Sequence, residues 1–223
     1  MTGRTRAVPL AVLLAVLATT PALGQAPLQG GQRWDIAFEI SAWPALGDLQ
    51  PDAGGTFKGA GFGIGGAWHL PVKQLASSEL MLGVDGFITG TDSNISGSLD
   101  EVMARHLYVG GSIKWLFGEK RNVSLDMGAG YHEVDLAQVD ANYWSSFERE
   151  HWTSRRAGAY VGATWDVGAG RQGKSGGLSL GLRVHYADFG RVYDEEPFDP
   201  VLGPDAGVLD GPVYLLRIGY SGR

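Results

Sequence analysis

The segment AGAYVGATWDV, residues 157–167, decides the fold of this chain. Its apolar positions share one parity: Ala157, Ala159, Val161, Ala163, Trp165 and Val167. The other parity holds small, polar and charged residues: Gly158, Tyr160, Gly162, Thr164 and Asp166. Because successive side chains of a β-strand point to opposite faces, one face of this strand is wholly apolar and the other is mixed. Carried around a closed sheet, this pattern predicts a barrel with an apolar outside and a polar filling.

The same alternation occurs eight times along the chain. The predicted strands cover residues 34–43, 57–70, 80–90, 107–117, 123–131, 157–167, 178–186 and 213–220. The inward positions of the second strand are nearly bare, which leaves room for large groups from other strands: Gly59, Gly61, Gly63, Gly65 and Ala67. An even number of strands suits a single-chain barrel with both termini on one side. The sequence therefore predicts an all-β fold, an eight-stranded antiparallel up-and-down transmembrane β-barrel.

Short and long connections alternate between the predicted strands. Those after the second, fourth and sixth strands are short and cover residues 71–79, 118–122 and 168–177. The others are longer, with extremes at 132–154 and 187–212. Barrels of the bacterial outer membrane have this asymmetry, with short periplasmic turns and longer external loops. The pattern predicts periplasmic termini and external loops at the opposite end of the barrel.

Aromatic residues mark the short-turn end of the predicted strands. Five of them have outward parity there: Trp34, Trp68, Trp115, Trp165 and Tyr220. Because tryptophan and tyrosine concentrate at membrane–water interfaces, this placement predicts an aromatic girdle at one membrane interface. The alternative is a chance placement of abundant aromatic residues in a soluble barrel.

Charged residues of both signs fall on the inward parity. The predicted lumen network consists of Asp35, Glu39, Asp85, Lys114, Asp126, Arg156, Asp166, Arg183, His185 and Arg217. Unpaired buried charges are costly, so we expect ion pairs and hydrogen bonds that largely plug the lumen. The functional alternative is a proton path, a gated pore or an active site within this network. Structural filling is the simpler interpretation, because such barrels need a polar interior in any case.

The N-terminal residues predict export. Residues 1–6 are basic, residues 7–17 form a short apolar run, and small residues precede a cleavage site before Gln25. We interpret residues 1–24 as a cleaved signal peptide and residues 25–223 as one outer-membrane β-barrel. The chain has no cysteine, which excludes a disulfide framework and a lipoprotein anchored through cysteine.

Charge argues against nucleic acid as a partner. The net charge is −6, and it would become −8 once the leader with Arg4 and Arg6 and no acid is removed. Proteins that bind DNA or RNA need a basic patch to neutralise phosphates. The acidic run Asp194, Glu195, Glu196 and Asp199 lacks the spacing of a calcium loop, so we interpret it as an ordinary external loop.

The remaining histidines do not predict a metal site. His69, His106, His132 and His151 are scattered without ligand spacing, so we expect solvated loop or strand-end positions for them. No phosphate-cradling glycine motif precedes a predicted helix. We therefore predict no metal and no cofactor.

Two fragments carry a resemblance to a known group of proteins. LGLRVHYADFG at residues 180–190 and YLLRIGY at residues 214–220 resemble the last two strands of eight-stranded outer-membrane barrels of Gram-negative bacteria, such as the OmpA transmembrane domain and opacity-type proteins. The resemblance implies a location in the outer membrane, contact with lipopolysaccharide and other membrane lipid, and assembly by the barrel-assembly machinery. That machinery reads an aromatic-ended final strand. Here Tyr220 is followed by three more residues, which departs from the pattern.

The expected role is structural, adhesive or that of a narrow porin-like channel, in a monomer without enzymatic activity. One alternative is a lipid A deacylase, because that family carries a His-x-Ser motif near its C-terminus and His185-Tyr186-Ala187 occupies a similar place. Alanine cannot act as the nucleophile, so that chemistry lacks its serine. Another alternative is a soluble periplasmic lipocalin-like barrel with a ligand-sized interior, which the inward glycines mildly favour.

The longest aromatic-rich connection, residues 132–154, has two open interpretations. It contains Tyr143, Trp144, Phe147 and Trp152 among charged residues. Exposed aromatic residues beside charges can form a recognition surface. They can equally fold back as a cap over the barrel mouth.

Overall fold

The computed structural model describes residues 31–49, 58–75, 77–94, 101–118, 121–139, 151–167, 176–192 and 207–222. The elements are β1 (Arg33–Ala42), α1 (Pro44–Gly47), β2 (Ala60–Gln74), β3 (Ser78–Asn94), β4 (Glu101–Phe117), β5 (Val123–Val139), β6 (His151–Val167), β7 (Gly176–Tyr186), β8 (Gly190–Val192), β9 (Gly207–Leu209) and β10 (Pro212–Gly222). The predicted signal peptide lies outside the described residues. Within the described ranges, no helix has the length and apolar character needed to cross a membrane.

Eight of the strands close into one barrel. Each of β1 to β7 pairs with its neighbour in sequence, β10 pairs with β7, and β1 pairs with β10 to complete the circle. All of these pairings are antiparallel, and the closing register runs from Trp34 opposite Gly222 to Ala42 opposite Tyr214. The predicted all-β, eight-stranded antiparallel barrel is confirmed.

The predicted faces of the strands are confirmed as well. Buried and exposed residues alternate without interruption along β1, with Asp35 and Glu39 inside and Ile36 and Phe38 outside. The outward side chains include large apolar residues such as Ile36, which is 62% exposed, and Phe62, which is 66% exposed. The inside therefore holds charge while the outside presents hydrocarbon, the reverse of a water-soluble protein.

Four strands continue beyond the ends that their hydrophobic pattern predicts. Strands β3, β4, β5 and β6 each have 17 residues. The predicted connection 132–154 is wrong at both ends, because β5 continues to Val139 and β6 begins at His151. The outward-parity residues of these extensions are mostly charged or polar, so apolar alternation could not reveal them. The extensions form a wall on one side of the barrel, since β7 ends where Tyr186 pairs with Ala159.

Two small elements cover the barrel at the long-loop end. The helix α1 buries Leu46, and Leu49 follows it into the interior. The hairpin of β8 and β9 lies within the predicted connection 187–212 and is joined to Phe189, whose N–H donates to the carbonyl of Leu209 at 3.1 Å. Phe189, Leu49 and Leu209 belong to one buried cluster. The first and seventh connections thus supply an apolar cover.

The turn predicted at residues 71–79 is shorter in the structure. Strand β2 continues to Gln74, and β3 begins at Ser78. The register shifts between Pro71 and Lys73, where proline has no N–H to contribute to the ladder. The N–H of Leu75 then donates to the carbonyl of Ser78 at 2.9 Å and closes the turn.

Candidate functional site

The lumen near the short-turn end contains a buried ionic network, the lower cluster: Arg33, Asp35, Lys114, Asp126 and Asp166. Arg33 lies 2.8 Å from both Asp35 and Asp166. Lys114 lies 3.2 Å from Asp35 and 3.3 Å from Asp126. All five side chains are nearly inaccessible to water. Every charge in the cluster therefore faces an opposite charge, as burial requires.

Hydroxyl groups complete the lower cluster. Thr164 donates to Asp126 at 2.7 Å, Ser124 donates to the same carboxylate at 3.1 Å, and Ser221 donates to Asp166 at 3.1 Å. The three hydroxyl groups come from three strands, β5, β6 and β10. The network cross-links the wall of the barrel from within.

A second set of ion pairs, the middle layer, lies above the lower cluster: Glu39, Asp85, Tyr160, Arg183 and Arg217. Arg183 contacts Asp85 at 2.8 Å, and Arg217 donates to Glu39 at 2.7 Å. The Tyr160 hydroxyl also donates to Asp85, and the guanidinium carbon of Arg183 lies 4.5 Å from the centre of the Tyr160 ring. Arg183 is therefore held by an ion pair and an aromatic face together.

The interior toward the long-loop end is an aromatic cluster rather than a polar one. It contains Trp43, Phe87, His106, Tyr108, His132, His185 and Phe189. The Tyr108 ring packs on the rings of Phe87 and His132, with centroids 5.7 and 4.6 Å apart. The expectation of a polar filling thus describes the lower cluster and middle layer, while rings and aliphatic side chains fill the rest.

The prediction of solvated histidines is wrong for His69, His106 and His132, which are all buried. His106 Nε2 lies 2.9 Å from His132 Nδ1, and His69 Nε2 lies 3.0 Å from the Ser112 hydroxyl. All three share the inward parity of their strands, a signal that the sequence already contained. His151 begins β6, but its side chain is outside what the structure describes.

The structure places nine of the ten predicted network residues inside the barrel and buried: Asp35, Glu39, Asp85, Lys114, Asp126, Asp166, Arg183, His185 and Arg217. His185 differs in kind, because it packs among rings, with Tyr160 at 4.5 Å and Tyr108 at 4.9 Å between centroids. Arg156 is a correction. Its side chain is exposed and donates to the Arg155 carbonyl, and it lies beyond Ala159, where the pairing of β6 with β7 ends.

Arg33 is a network residue that sequence reasoning missed. It is 3% exposed and bridges two acids of the lower cluster. It shares the parity of Asp35 and immediately precedes the predicted start of the first strand. Extending that strand by one residue would have found it.

The inner glycine stripe is filled by neighbouring side chains. A Cβ at Gly65 would collide with the Glu39 carboxylate, and a Cβ at Gly128 would collide with the Tyr160 ring. The prediction that the inward glycines of the second strand leave room for large groups is confirmed at Gly65, and Gly128 on β5, which that prediction did not cover, leaves room in the same way. The mild preference for free internal space is not supported there, because the groups that use the room also occupy it.

A serine and a histidine do meet, but inside the barrel. Ser112 and His69 are 5% and 1% exposed, and Asp35 lies 4.0 Å from His69 Nδ1. Asp35 is already bound to Arg33 and Lys114, so it is engaged by cations more strongly than by the histidine. The deacylase alternative needs such a pair facing lipid, and this pair faces the lumen.

Metal binding has little support in the described part of the chain. Among those residues, no group of three or more histidine or acidic side chains is arranged to hold an ion. The acidic run at residues 194–199 lies outside the described residues.

The five predicted interface aromatics are exposed on the outer face at the short-turn end. Their exposure ranges from 39% for Trp34 to 51% for Tyr220. Trp34 is paired with Trp68 across β1 and β2, and its ring lies 5.8 Å from that of Tyr220. Trp34, Trp68 and Tyr220 thus form a continuous arc on three neighbouring strands, and Trp115 on β4 and Trp165 on β6 have aliphatic partners in register on both neighbouring strands.

A second ring of exposed aromatics, which sequence reasoning missed, lies toward the long-loop end: Phe62, Tyr131, Tyr186 and Tyr214. Tyr214 and Tyr220 are six residues apart on β10, about 20 Å of strand. Phe62 and Trp68 have the same separation on β2. Two aromatic girdles therefore border one apolar band.

Comparison with known families gives no match, and neither does comparison with curated proteins. Among solved structures, the attachment invasion locus protein Ail of Yersinia pestis, in complex with the heparin analogue sucrose octasulfate, is similar with 10% identity and a TM-score of 0.49, over 87% of this chain and 99% of that one. Neisserial surface protein A has 14% identity and a TM-score of 0.42, over 86% and 94%. The outer membrane protein OprG from Pseudomonas aeruginosa has 12% identity and a TM-score of 0.38, over 85% and 94%.

Proposed function

We propose that this protein is an integral outer-membrane β-barrel of a Gram-negative bacterium, with a closed lumen and a structural or binding role at its long-loop end. The observation that supports this proposal is the reversal of inside and outside. Buried ion pairs fill the lumen, while large apolar side chains are exposed around a closed sheet between two aromatic girdles. Lipid is the environment in which such a surface is stable.

The free energy of removing apolar side chains from water also favours a lipid environment for this barrel. Removing half-exposed side chains such as Ile64, Val109 and Val161 from water contributes on the order of 1 kcal/mol for each residue. Many such residues surround the barrel, so the aqueous monomer would be strongly prone to aggregation. A soluble lipocalin-like barrel would instead place its polar face outward.

A closed lumen favours a structural or binding role over an open pore. An eight-stranded barrel has an interior that side chains can fill. Here the lower cluster, the middle layer and the aromatic cluster succeed one another along the barrel axis, and α1 and the hairpin of β8 and β9 cover the long-loop end. The extensions of β3 to β6 continue beyond the second aromatic ring, and they are the part of the barrel that can present a binding surface.

Export and assembly follow from the same proposal. The leader, residues 1–24, is removed before Gln25, and the barrel-assembly machinery inserts residues 25–223 as a monomer. The closed sheet leaves no free barrel edge for a second copy along β1 to β7 and β10.

Membrane fractionation with a heat-modifiability gel tests the proposal. We expect the protein in the outer-membrane fraction, with N-terminal sequencing starting at Gln25 and a mobility shift between boiled and unboiled samples. Release with the soluble periplasmic fraction, without a shift, would contradict the proposal and favour the soluble barrel. Loss of acyl chains from lipid A incubated with the purified protein would favour the enzyme.

A further inference from the structure

The outer face changes character just beyond the second aromatic girdle. On β5, Tyr131 is followed at the next outward positions by Glu133 and Asp135. Arg155 of β6 lies opposite Glu133 in register, whereas on β4 the apolar Leu107 lies opposite Glu133 and Arg105 lies opposite Asp135. The change therefore falls at one level on β5 and β6, and at the next outward-facing position on β4. If the apolar band lies in lipid, these charges lie at the level of the lipid headgroups.

We define the arginine surface as Arg105, Glu133, Asp135, Thr153 and Arg155. Arg105 donates through Nε to Asp135 at 2.9 Å, and Arg155 donates through Nε to Glu133 at 2.9 Å. Thr153 donates to the second oxygen of Asp135 at 2.8 Å. Each acid thus orients one guanidinium on the sheet.

The cations and the acids differ in their exposure. The side chains of Arg105 and Arg155 are 57% and 61% exposed, whereas those of Asp135 and Glu133 are 14% and 18% exposed. The carboxylates lie against the sheet and the guanidiniums lie over them. A ligand that approaches from outside therefore meets positive charge first, although the formal charges of the surface cancel.

The guanidiniums keep hydrogen-bonding capacity. Glu133 uses Nε of Arg155, so the two terminal nitrogens of that arginine have no hydrogen bond to another described residue. Asp135 accepts from Nε and Nη2 of Arg105, and Nη1 of Arg105 has no hydrogen bond to another described residue. A planar fork whose donors are not used by other described residues matches the oxygens of a phosphate.

We propose that the arginine surface binds phosphate groups of lipid A, the membrane anchor of lipopolysaccharide. The inference rests on the proposed function, because it requires the barrel to lie in an outer membrane. The acyl chains would run along the exposed apolar residues below, such as Val109 and Val161. Arg105 and Arg155 are two strands apart, about 10 Å across the sheet, so each engages its own phosphate.

Binding of lipid A to the purified barrel in detergent micelles tests the inference. The probes are lipid A and its chemically dephosphorylated form, and the readout is the Kd from native mass spectrometry or fluorescence titration. For lipid A, we expect the R105Q/R155Q variant to bind roughly tenfold more weakly than the wild type, since charge-assisted hydrogen bonds are lost. The wild type should bind the dephosphorylated form about as weakly as the variant binds lipid A.

Two further variants control for charge and folding. K73Q removes an exposed lysine at the opposite end of the barrel and should bind lipid A as the wild type does. E133Q/D135N keeps both arginines, and its amide oxygens can still accept from the two Nε groups and orient the guanidiniums. It should bind at least as tightly as the wild type, because two carboxylates that repel phosphate are removed. All variants should keep the mobility shift on heating, which shows a folded barrel.

Wild-type affinity in R105Q/R155Q, equal affinity for both forms of lipid A, or weaker binding in E133Q/D135N would each overturn the inference. The proposed function is decided separately by fractionation. An outer-membrane location together with wild-type affinity in R105Q/R155Q would contradict only the proposed binding of lipid A by the arginine surface. A soluble periplasmic location would contradict the proposed function, whatever the result of the lipid A titration.

Discussion

Arg183 Nη1 lies 2.8 Å from Asp85 Oδ2 across the barrel lumen, although the two residues are 98 positions apart in the chain. Both side chains are almost completely buried, at 2% and 0% exposure. The pair joins β3 to β7, strands that are not neighbours in the sheet. The lumen charges therefore tie opposite walls together, and this relationship has a measurable consequence.

Removing one partner should cost more than removing both. Asp85→Ala leaves the Arg183 guanidinium without its closest carboxylate, so we expect a loss of about 3–5 kcal/mol in the free energy of unfolding. The double variant D85A/R183M should recover part of this loss, because no charge remains stranded. Denaturant titration of the barrel folded in lipid vesicles measures both. A double variant that is less stable than D85A would contradict this account of the pair.

Glycine should be required where an aromatic ring occupies its place. Gly128→Ala puts a Cβ against the Tyr160 ring and the Gly111 carbonyl, so we expect destabilisation of about 1–3 kcal/mol. Gly66→Ala is the matched control, since its Cβ would meet only the Asp35 carbonyl at an ordinary 3.5 Å. The same vesicle titration compares the two. Equal stability of both variants would show that the interior is less tightly filled than the structure indicates.

The position of the apolar band can be tested with one cation at two depths. Val161→Arg places a charge in the middle of the band on β6, which should cost about 2–4 kcal/mol in vesicles. Ala157→Arg has the same outward parity near the rim, beside Tyr131 in register, and should cost about 0–1 kcal/mol. The free energy of unfolding in vesicles gives the difference. Similar values at both depths would argue against the membrane position.

The filled lumen should not conduct. We expect the wild-type barrel in a planar lipid bilayer to show no steady ion current, because ion pairs and rings occupy the interior from the lower cluster to Phe189. The E39A/R217A variant removes one buried pair together and should still be blocked by the aromatic cluster above it. Reproducible current steps in the wild-type protein would contradict the closed lumen and favour the narrow channel.

Strand number, order and faces could be read from the sequence because alternation is a local property. Whether Ile36 and Asp35 lie on opposite faces depends only on the pleat of the strand between them. The same rule, applied at one more position, would have placed Arg33 inside, and applied to His69, His106 and His132 would have predicted their burial. These misses reflect how far the rule was extended rather than missing information.

Contacts across the lumen have another origin. The carboxylate that Arg183 contacts is determined by the registers of all the strands between Arg183 and Asp85 around the closed sheet. No local sequence pattern encodes the combined effect of these registers. The outward charges of the β5 and β6 extensions hid those strands, because ladder hydrogen bonds and cross-strand ion pairs stabilise them without apolar alternation. Arg156 follows the inward parity and is nevertheless exposed, and only the strand registers of the barrel show that it lies beyond the end of the ladder between β6 and β7. The amino-acid order determined which side of each strand faces hydrocarbon, through local backbone geometry, whereas barrel closure determined the partners of the buried charges, through contacts between residues distant in sequence.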